Sequence, residues 1–175
     1  MQFYLDIETN GTDFKKDKII TIQFQELDFK GNPKGDLIIL KEWESSEKEI
    51  VEKFHKILMT DNVWNFIPIM TNHIYDFKFL FEKFNKYGLN CPYLDDYLYN
   101  KPLIDLKYTL VMINGLNFKG ASLDQMTNKK QSGREVPNWY ANKDYKKIEE
   151  YIIQETESFL EFFEKCNKHL SQLKK

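Results

Sequence analysis

Residues 2–9, QFYLDIET, contain the pattern on which the fold prediction depends. Apolar side chains at the odd positions alternate with polar or phenolic side chains at the even positions, which is the period of a β-strand. Asp6 and Glu8 therefore leave the same face of the strand. Two carboxylates that face a buried layer repel each other and need a cation. On spacing alone, an ordinary solvent-facing strand is the more common origin of such a pair.

The neighbouring residues predict a three-stranded antiparallel meander. Residues 18–28 form a second run of β-branched and aromatic residues, and residues 36–42 form a third. The Gly- and Pro-containing segment 31–35 separates these two runs, as a turn would.

Further along the chain, predicted helices and strands alternate, which is typical of an α/β layer architecture. Capping-box patterns predict helix starts at Ser46–Glu49 and Ser122–Gln125. We expect strands at 63–70 and 102–106, helices at 75–87 and from 106 to about 113, a polar loop at 127–143, and a long helix at 145–170 with Asp144 as its N-cap.

Length and composition indicate one folded domain over residues 1–175, since 42% of the residues are hydrophobic. The net charge of −2 excludes a globally basic surface for nucleic acid. A polyanionic partner would have to bind a local patch or a metal ion. Nearly all positive charge comes from lysine, because Arg134 is the only arginine.

The two cysteines are too few for a disulfide framework, and no apolar run is long enough to span a bilayer. The first residues contain no signal-peptide pattern. We therefore expect a cytoplasmic protein without a membrane partner.

Two further segments contain candidate functional side chains. Asp76 lies where a strand is predicted to end and a helix to begin, and such a carboxylate often only interacts with the helix dipole. Tyr151 and Glu155 share one face of the last predicted helix through their i, i+4 spacing. Tyr151 also fits the apolar stripe, and Glu155 is equally well explained as a solvated side chain.

In combination and order, these segments resemble the three motifs of the DEDDy group of DnaQ-like 3′–5′ exonucleases, particularly the proofreading domain of family B DNA polymerases. Residues 3–11 (FYLDIETNG) resemble the first motif, residues 72–80 the second and residues 151–155 the third. Residues 103–106 and 122–126 also resemble segments of this group. The resemblance implies a ribonuclease H-like α/β fold: a mixed five-stranded sheet, its first three strands antiparallel, with helices on both faces.

Two positions depart from the family pattern, Glu155 in the third motif and Thr71, which stands where a Gly often precedes the Asn of the second motif; we expect little consequence from Thr71. Glu155 stands where the third motif usually has Asp, and its extra methylene moves the carboxylate by about 1.5 Å. Tyr140 and Asp144 offer a rival pair with the usual letters, but they lie in the predicted loop, so we prefer Tyr151 and Glu155. Glu150 occupies the position at which the histidine variant of the family would have its histidine, which disfavours that variant.

The resemblance implies hydrolysis of terminal phosphodiester bonds with two divalent metal ions, Mg²⁺ or Mn²⁺. Asp6, Glu8, Asp76 and Glu155 would be the metal ligands, and Tyr151 would orient the attacking water. These five residues are the predicted catalytic set. Their carboxylates are the hard oxygen ligands that both metals prefer.

For substrate binding, we expect backbone groups at Thr9 and Asn10 to hold the terminal nucleotide and Asn72 to hold a sugar or phosphate. Phe77 is the candidate for stacking on a base. Lysines at positions 15, 16, 18, 129, 130, 143, 146 and 147 either follow the phosphates or are ordinary solvated side chains.

The leading hypothesis is a 3′–5′ exonuclease acting on single-stranded DNA ends, for which any replication or repair role requires a separate protein partner. Two alternatives stay open. One is a 3′-end ribonuclease, because contacts to a 2′-hydroxyl cannot be read from these residues. The other is a catalytically degenerate module that binds nucleic acid or a protein partner. This alternative stays open because Glu155 stands where the family usually has Asp.

Overall fold

A computed structural model describes residues 1–127 and 132–172 of the chain. Its sheet has five strands, with adjacent strands in the order β3-β2-β1-β4-β5. The first three strands pair antiparallel, whereas β1 with β4 and β4 with β5 pair parallel. The strands are β1 (Gln2–Thr9), β2 (Ile19–Leu27), β3 (Ile38–Lys41), β4 (Ile67–Met70) and β5 (Ile104–Asp105). The carboxylate-bearing strand β1 thus lies at the centre of the sheet.

Seven α-helices lie within the described residues, and short 3₁₀ turns occur at Glu42–Glu44, Val63–Asn65 and Gly133–Glu135. In that part of the chain, no helix has the length and apolar character needed to cross a membrane. The helices are α1 (Glu47–Leu58), α2 (His73–Lys86), α3 (Leu94–Asn100), α4 (Leu106–Ile113), α5 (Leu123–Met126), α6 (Val136–Ala141) and α7 (Tyr145–Ser171).

Helices cover both faces of the sheet. On one face, Leu5 and Ile7 of β1 belong to a buried cluster with apolar side chains of α1 and α2. On the other face, Tyr4 of β1 packs against Phe159 of α7, with ring centroids 4.7 Å apart. Tyr4 shares its face with Asp6 and Glu8 through the two-residue period, so α7 covers the face that carries both carboxylates.

Most predicted elements are present with small shifts at their ends. The antiparallel meander is confirmed, and so is the mixed sheet with helices on both faces. Helix α2 begins two residues earlier than expected and ends before Gly88, whose φ of +66° suits glycine. The strand predicted at 63–70 is shorter than expected. Its first part is the 3₁₀ turn, in which the Asn62 side chain accepts a hydrogen bond from the Trp64 amide.

Two helices are absent from our sequence prediction. Helix α3 was overlooked between Gly88 and the next strand. Helix α6 lies in the predicted loop at 127–143, of which residues 128–131 are outside the described part of the chain. Pro137 stands in the first turn of α6, where proline is well tolerated because its missing amide proton would have no partner. The prediction of a loop was therefore wrong for Val136–Ala141.

The predicted caps have different outcomes. Ser46 caps α1 as expected, accepting a hydrogen bond from the Glu49 amide at 3.2 Å. Ser122 precedes α5 but makes no side-chain capping bond. Asp144 precedes α7, yet its carboxylate pairs with Lys147 at 2.7 Å and does not cap the helix.

Candidate active site

The two carboxylates of β1 lie near the carboxyl end of that strand. Asp6 is partly buried and Glu8 is only 9% exposed. Glu8 pairs with Thr21 of β2, whereas the next residue, Thr9, pairs with Ile19, so the ladder contains an irregularity directly after Glu8. Such irregularities redirect the side chains next to them and often adjoin functional sites.

A hydrogen-bonded chain from β2 orients Asp6. Thr21 donates its hydroxyl proton to Gln23 Oε1 at 2.9 Å, and Gln23 Nε2 donates to Asp6 Oδ2 at 3.0 Å. Both β2 side chains are fully buried. Because an ionised carboxylate only accepts hydrogen bonds, Gln23 must present its Nε2 to Asp6, and the carboxylate of Asp6 is held from one side. Sequence reasoning missed this role, since a buried Gln has no distinctive spacing.

Glu155 of α7 completes a cluster of three carboxylates. One oxygen each from Asp6, Glu8 and Glu155 can be chosen so that all three lie within 4.8 Å of one another. Three carboxylates this close repel each other unless a cation lies among them. Oxygen donors in this arrangement fit a hard divalent cation such as Mg²⁺ or Mn²⁺. We therefore regard the cluster as a candidate metal centre.

Tyr151 lies one helical turn before Glu155 and is 2% exposed. Burial, and then the negative charges of Glu8 and Glu155, raise the pKa of its phenol far above the usual value. Its hydroxyl also forms a hydrogen bond with Glu155. The phenol therefore stays protonated. It is a hydrogen-bond donor at the edge of the cluster and is unsuited to act as a base.

Asp76 enters the same cleft from the first turn of α2 and is 5% exposed. Burial raises its pKa well above the ordinary value for Asp, and the charges of Asp6, Glu155 and Asp105 raise it further. It is thus electrostatically coupled to two members of the carboxylate cluster. A divalent cation would reverse this effect and favour the ionised form.

Asp105, at the end of β5, fixes the start of α2. Its carboxylate accepts hydrogen bonds from the backbone amides of Asn72 at 2.9 Å and His73 at 3.2 Å, and pairs with His73 Nδ1 at 2.5 Å. Asn72 itself adopts a left-handed conformation with φ of 61°. These bonds set the position from which Asp76 points into the cleft. Sequence analysis assigned Asp105 no role.

The carboxylates line an open cleft of about 540 Å³ that also contains two of the four predicted substrate-binding residues, Thr9 and Asn72. Asn10 does not line it. Its side chain instead accepts a hydrogen bond from the Lys18 amide at 2.6 Å and holds the turn after β1. Phe77 is fully buried in the core between the sheet and α2, so the prediction that it stacks on a base was wrong.

Among the cleft residues that sequence analysis did not assign, Tyr75 and Arg134 have side chains suited to contact a nucleotide. Tyr75 is partly exposed, and its hydroxyl lies 3.3 Å from both Thr9 Oγ1 and the Gly11 carbonyl oxygen. Arg134 reaches the cleft from the 3₁₀ turn that precedes α6. The backbone of that turn comes so close to Tyr151 that a Cβ on Gly133 would lie 2.7 Å from the phenol oxygen. The sequence signal that could have pointed to this turn was the only arginine of the chain, Arg134, directly after Gly133.

The rival third motif lies elsewhere. The Tyr140 hydroxyl donates to Glu42 at 2.6 Å, and Asp144 pairs with Lys147, so neither residue reaches the cleft. The structure thus brings Tyr151 and Glu155 to the carboxylates, as the sequence prediction preferred. None of the predicted phosphate-binding lysines within the described residues lines the cleft, and Lys129 and Lys130 lie outside the described residues.

Solved structures of exonuclease I are similar to this fold. The E. coli enzyme in complex with a dT13 oligonucleotide is 14% identical, with a TM-score of 0.58 over 75% of this chain and 36% of that chain. An exonuclease I structure described as suggesting how processivity is achieved is 13% identical, with a TM-score of 0.55 over 71% of this chain and 34% of that chain. The chain thus spans about a third of the length of exonuclease I, and the likeness at this identity is one of fold.

No curated protein matches the chain in sequence. A family model described as the RNase_H superfamily matches residues 3–161, which is most of the chain. The ribonuclease H-like fold implied by the resemblance to DnaQ-like exonucleases is therefore confirmed. The chain belongs to the RNase_H superfamily.

Proposed function

We propose that the protein is a metal-dependent 3′–5′ exonuclease that removes nucleotides from single-stranded DNA ends. The observation that carries this proposal is the carboxylate cluster of Asp6, Glu8 and Glu155, whose oxygens lie within 4.8 Å of one another beside the buried Tyr151. The superfamily assignment and the likeness in fold to exonuclease I support it.

In this proposal, Asp6, Glu8 and Glu155 hold two divalent ions together with Asp76. When bound, such ions lower the pKa of water and offset negative charge on the phosphate oxygens. Asp6 can serve as a fixed ligand because Gln23 holds one of its oxygens at 3.0 Å. Glu155 can adjust its rotamer, which suits a ligand with a longer side chain than the family pattern has at this position.

The chain's own residues position the reacting groups. Tyr151 keeps its proton because burial and the neighbouring carboxylates raise its pKa. Its hydroxyl can therefore donate a hydrogen bond to the attacking water beside Glu155 and orient that water. Arg134 is exposed at the cleft and offers a planar, permanently charged group to a phosphate. Of the two tyrosines in the cleft, Tyr151 is buried and Tyr75 is partly exposed, so Tyr75 is the one on which a terminal base can stack.

The test is an oligonucleotide assay with a fluorescent label at either the 5′ or the 3′ end. We expect Mg²⁺ or Mn²⁺ to support a ladder of shortened products from the 5′-labelled strand and early release of labelled mononucleotide from the 3′-labelled strand. EDTA should abolish both. A strand whose 3′ end carries an inverted nucleotide should resist degradation.

Matched DNA and RNA strands of one sequence distinguish the competing hypotheses. Faster shortening of DNA supports the proposal, and faster shortening of RNA would favour the ribonuclease. Metal-dependent binding without shortening of any strand would favour the degenerate binding module. Internal cleavage of a circular single strand would contradict exonuclease action. A separate protein partner in replication or repair stays a prediction.

A further inference from the structure

A second open pocket of about 580 Å³ lies between the end of α1, the segment that joins α2 to α3, and α3 itself. It shares no lining residue with the carboxylate cleft. The exonuclease proposal therefore leaves this pocket unexplained.

Lys101, directly after α3, is the distinctive residue of the pocket wall. It is only 6% exposed. Its ammonium lies 5.7 Å from the centroid of the Tyr97 ring. Across residues 1–127 and 132–172, no carboxylate forms an ion pair with it, and burial alone lowers its pKa. This contrasts with buried Lys83, which lies 3.7 Å from a Glu47 oxygen and donates to two backbone carbonyls.

The Lys101 side chain is largely buried, but its ammonium borders the open pocket. A partly desolvated ammonium without a counter-ion loses hydration, and an anion that reaches it offsets that loss. The other charged groups of the pocket wall do not compensate the charge of Lys101. Asp61 and Asp96 are exposed, so water and salt screen their charges. The ring of His55 donates its Nε2 proton to the Asn90 carbonyl oxygen, 2.8 Å away, and so has a partner.

The remainder of the wall combines an apolar part with the polar side chains of Thr60, Asn90 and Asn100. Met59, Val63 and Pro92 line the pocket beside the Tyr97 ring. A volume of about 580 Å³ is far greater than a bare inorganic anion needs and falls in the range of small-molecule sites. The wall therefore matches a ligand that has one anionic end and one apolar or aromatic body.

We propose that this pocket binds a small phosphate monoester, with its phosphate on the Lys101 ammonium and its organic part against Met59, Val63 and Pro92. A phosphate monoester carries a charge of about −1.5 to −2 near pH 7, so it interacts more strongly with the Lys101 ammonium than a carboxylate does. The proposal does not rest on the exonuclease activity, because it uses none of the cleft residues.

The test is a titration of the ¹⁵N-labelled protein with deoxyadenosine monophosphate in EDTA at fixed salt, followed by amide chemical shifts. We expect saturable shifts at pocket residues such as Cys91 and Tyr97. Uncharged deoxyadenosine should bind at least about ten-fold more weakly, since it lacks the charged partner. Inorganic phosphate should also bind at least about ten-fold more weakly, since it lacks the apolar body.

Lys101→Met is the decisive variant, because it keeps the length and removes the charge. It should weaken binding by about ten-fold or more, whereas Lys56→Met, which removes an exposed lysine of α1, should leave the affinity unchanged. Wild-type affinity in Lys101→Met would overturn the proposal, as would shifts confined to the carboxylate cleft or equal affinity for inorganic phosphate.

Thermal unfolding provides a second readout. Lys101→Met should melt at the wild-type temperature or higher, since it removes an unpaired, partly desolvated charge. Deoxyadenosine monophosphate should raise the melting temperature of the wild type and of Lys56→Met but not that of Lys101→Met. An equal rise in all three proteins would contradict the assigned site.

Discussion

Two parts of the molecule bury carboxylates in opposite surroundings. Glu47 of α1 is 4% exposed, and its oxygens accept hydrogen bonds from the Ile19 amide at 2.9 Å, the Lys86 ammonium at 2.8 Å and the Tyr87 hydroxyl at 2.5 Å. Asp76 of α2 is 5% exposed and faces the negative charges of other carboxylates.

The pKa directions follow from these surroundings. Burial alone would raise the pKa of Glu47, but the hydrogen bonds from Lys86, Tyr87 and the Ile19 amide outweigh burial, and the pKa is lowered. Burial and neighbouring carboxylates instead raise the pKa of Asp76. The first arrangement stabilises the fold by itself, whereas the second needs a cation to become stable in its charged form. Of two equally buried acids, one is therefore structural and the other is a candidate ligand.

The largest expected effect is on activity, at Asp6. Asp6→Asn keeps the size of the side chain and removes one negative oxygen ligand, so we expect kcat to fall by about a thousand-fold. The melting temperature in EDTA should stay the same or rise, because one repulsive charge is gone. Asp36→Asn, at an exposed position, is the matched control. Near-normal turnover in Asp6→Asn would remove the basis of the proposed site.

The next effect is on stability, at Glu47. Glu47→Gln leaves Lys83 and Lys86 without their common partner, and we expect a loss of about 2 to 3 kcal/mol in the free energy of unfolding. Turnover should change little, because Glu47 does not line the cleft. Urea unfolding measures the loss, with Glu49→Gln on the exposed side of α1 as control.

The loss should also depend on pH. A carboxyl group with a lowered folded-state pKa contributes stability above its unfolded pKa of about 4.3, and that contribution is lost as the pH falls through the folded-state pKa. The difference between the wild type and Glu47→Gln should therefore be largest near neutral pH and shrink on acidification. A difference that grows as the pH falls would contradict the assigned pairing.

Asp76→Asn should have the opposite effect on stability. Because the folded-state pKa of Asp76 is raised, its contribution turns unfavourable as the pH rises through the unfolded value of about 3.9. In EDTA at neutral pH, we expect the variant to be more stable than the wild type, with no difference at low pH. Urea unfolding in EDTA measures this difference in the free energy of unfolding. A destabilised Asp76→Asn at neutral pH would show that the carboxylate is already compensated.

The smallest effect is expected at Glu155. Glu155→Asp restores the shorter ligand of the family pattern, so turnover should be at or above the wild-type rate. Asp144→Asn should leave turnover unchanged, since Asp144 pairs with Lys147. A loss of more than about ten-fold in Glu155→Asp, equal to 1.4 kcal/mol in the barrier, would show that this chain depends on the longer side chain.

Local patterns predicted the residues whose placement depends on local geometry. The two-residue period of β1 placed Asp6 and Glu8 on one face, and the i, i+4 spacing paired Tyr151 with Glu155. The side of α2 that faces the cleft was harder to predict, because successive residues of a helix are rotated by about 100°. Tyr75 and Phe77 are therefore about 200° apart around the helix, and a prediction that turns the wrong side of α2 to the cleft exchanges Tyr75, which lies in the cleft, for Phe77, which lies in the core.

Contacts between distant segments could not be read from spacing. Gln23 orients Asp6 because β2 lies beside β1 in one particular register. Asp105 fixes the start of α2 only because β5 lies beside β4. Arg134 reaches the cleft because a 3₁₀ turn approaches Tyr151 at Gly133. Each of these placements depends on tertiary pairing, for which the local sequence carries no periodic signal.

The claim that the repelling carboxylates form a metal centre is tested most directly by anomalous diffraction from a crystal soaked in Mn²⁺. We predict one or two anomalous peaks within ligand distance of Asp6, Glu8 and Glu155, with Asp76 adjoining them. Crystals of Asp6→Asn soaked in the same way should have weaker peaks or none. A wild-type crystal whose cleft has no anomalous peak at a saturating Mn²⁺ concentration would contradict the account.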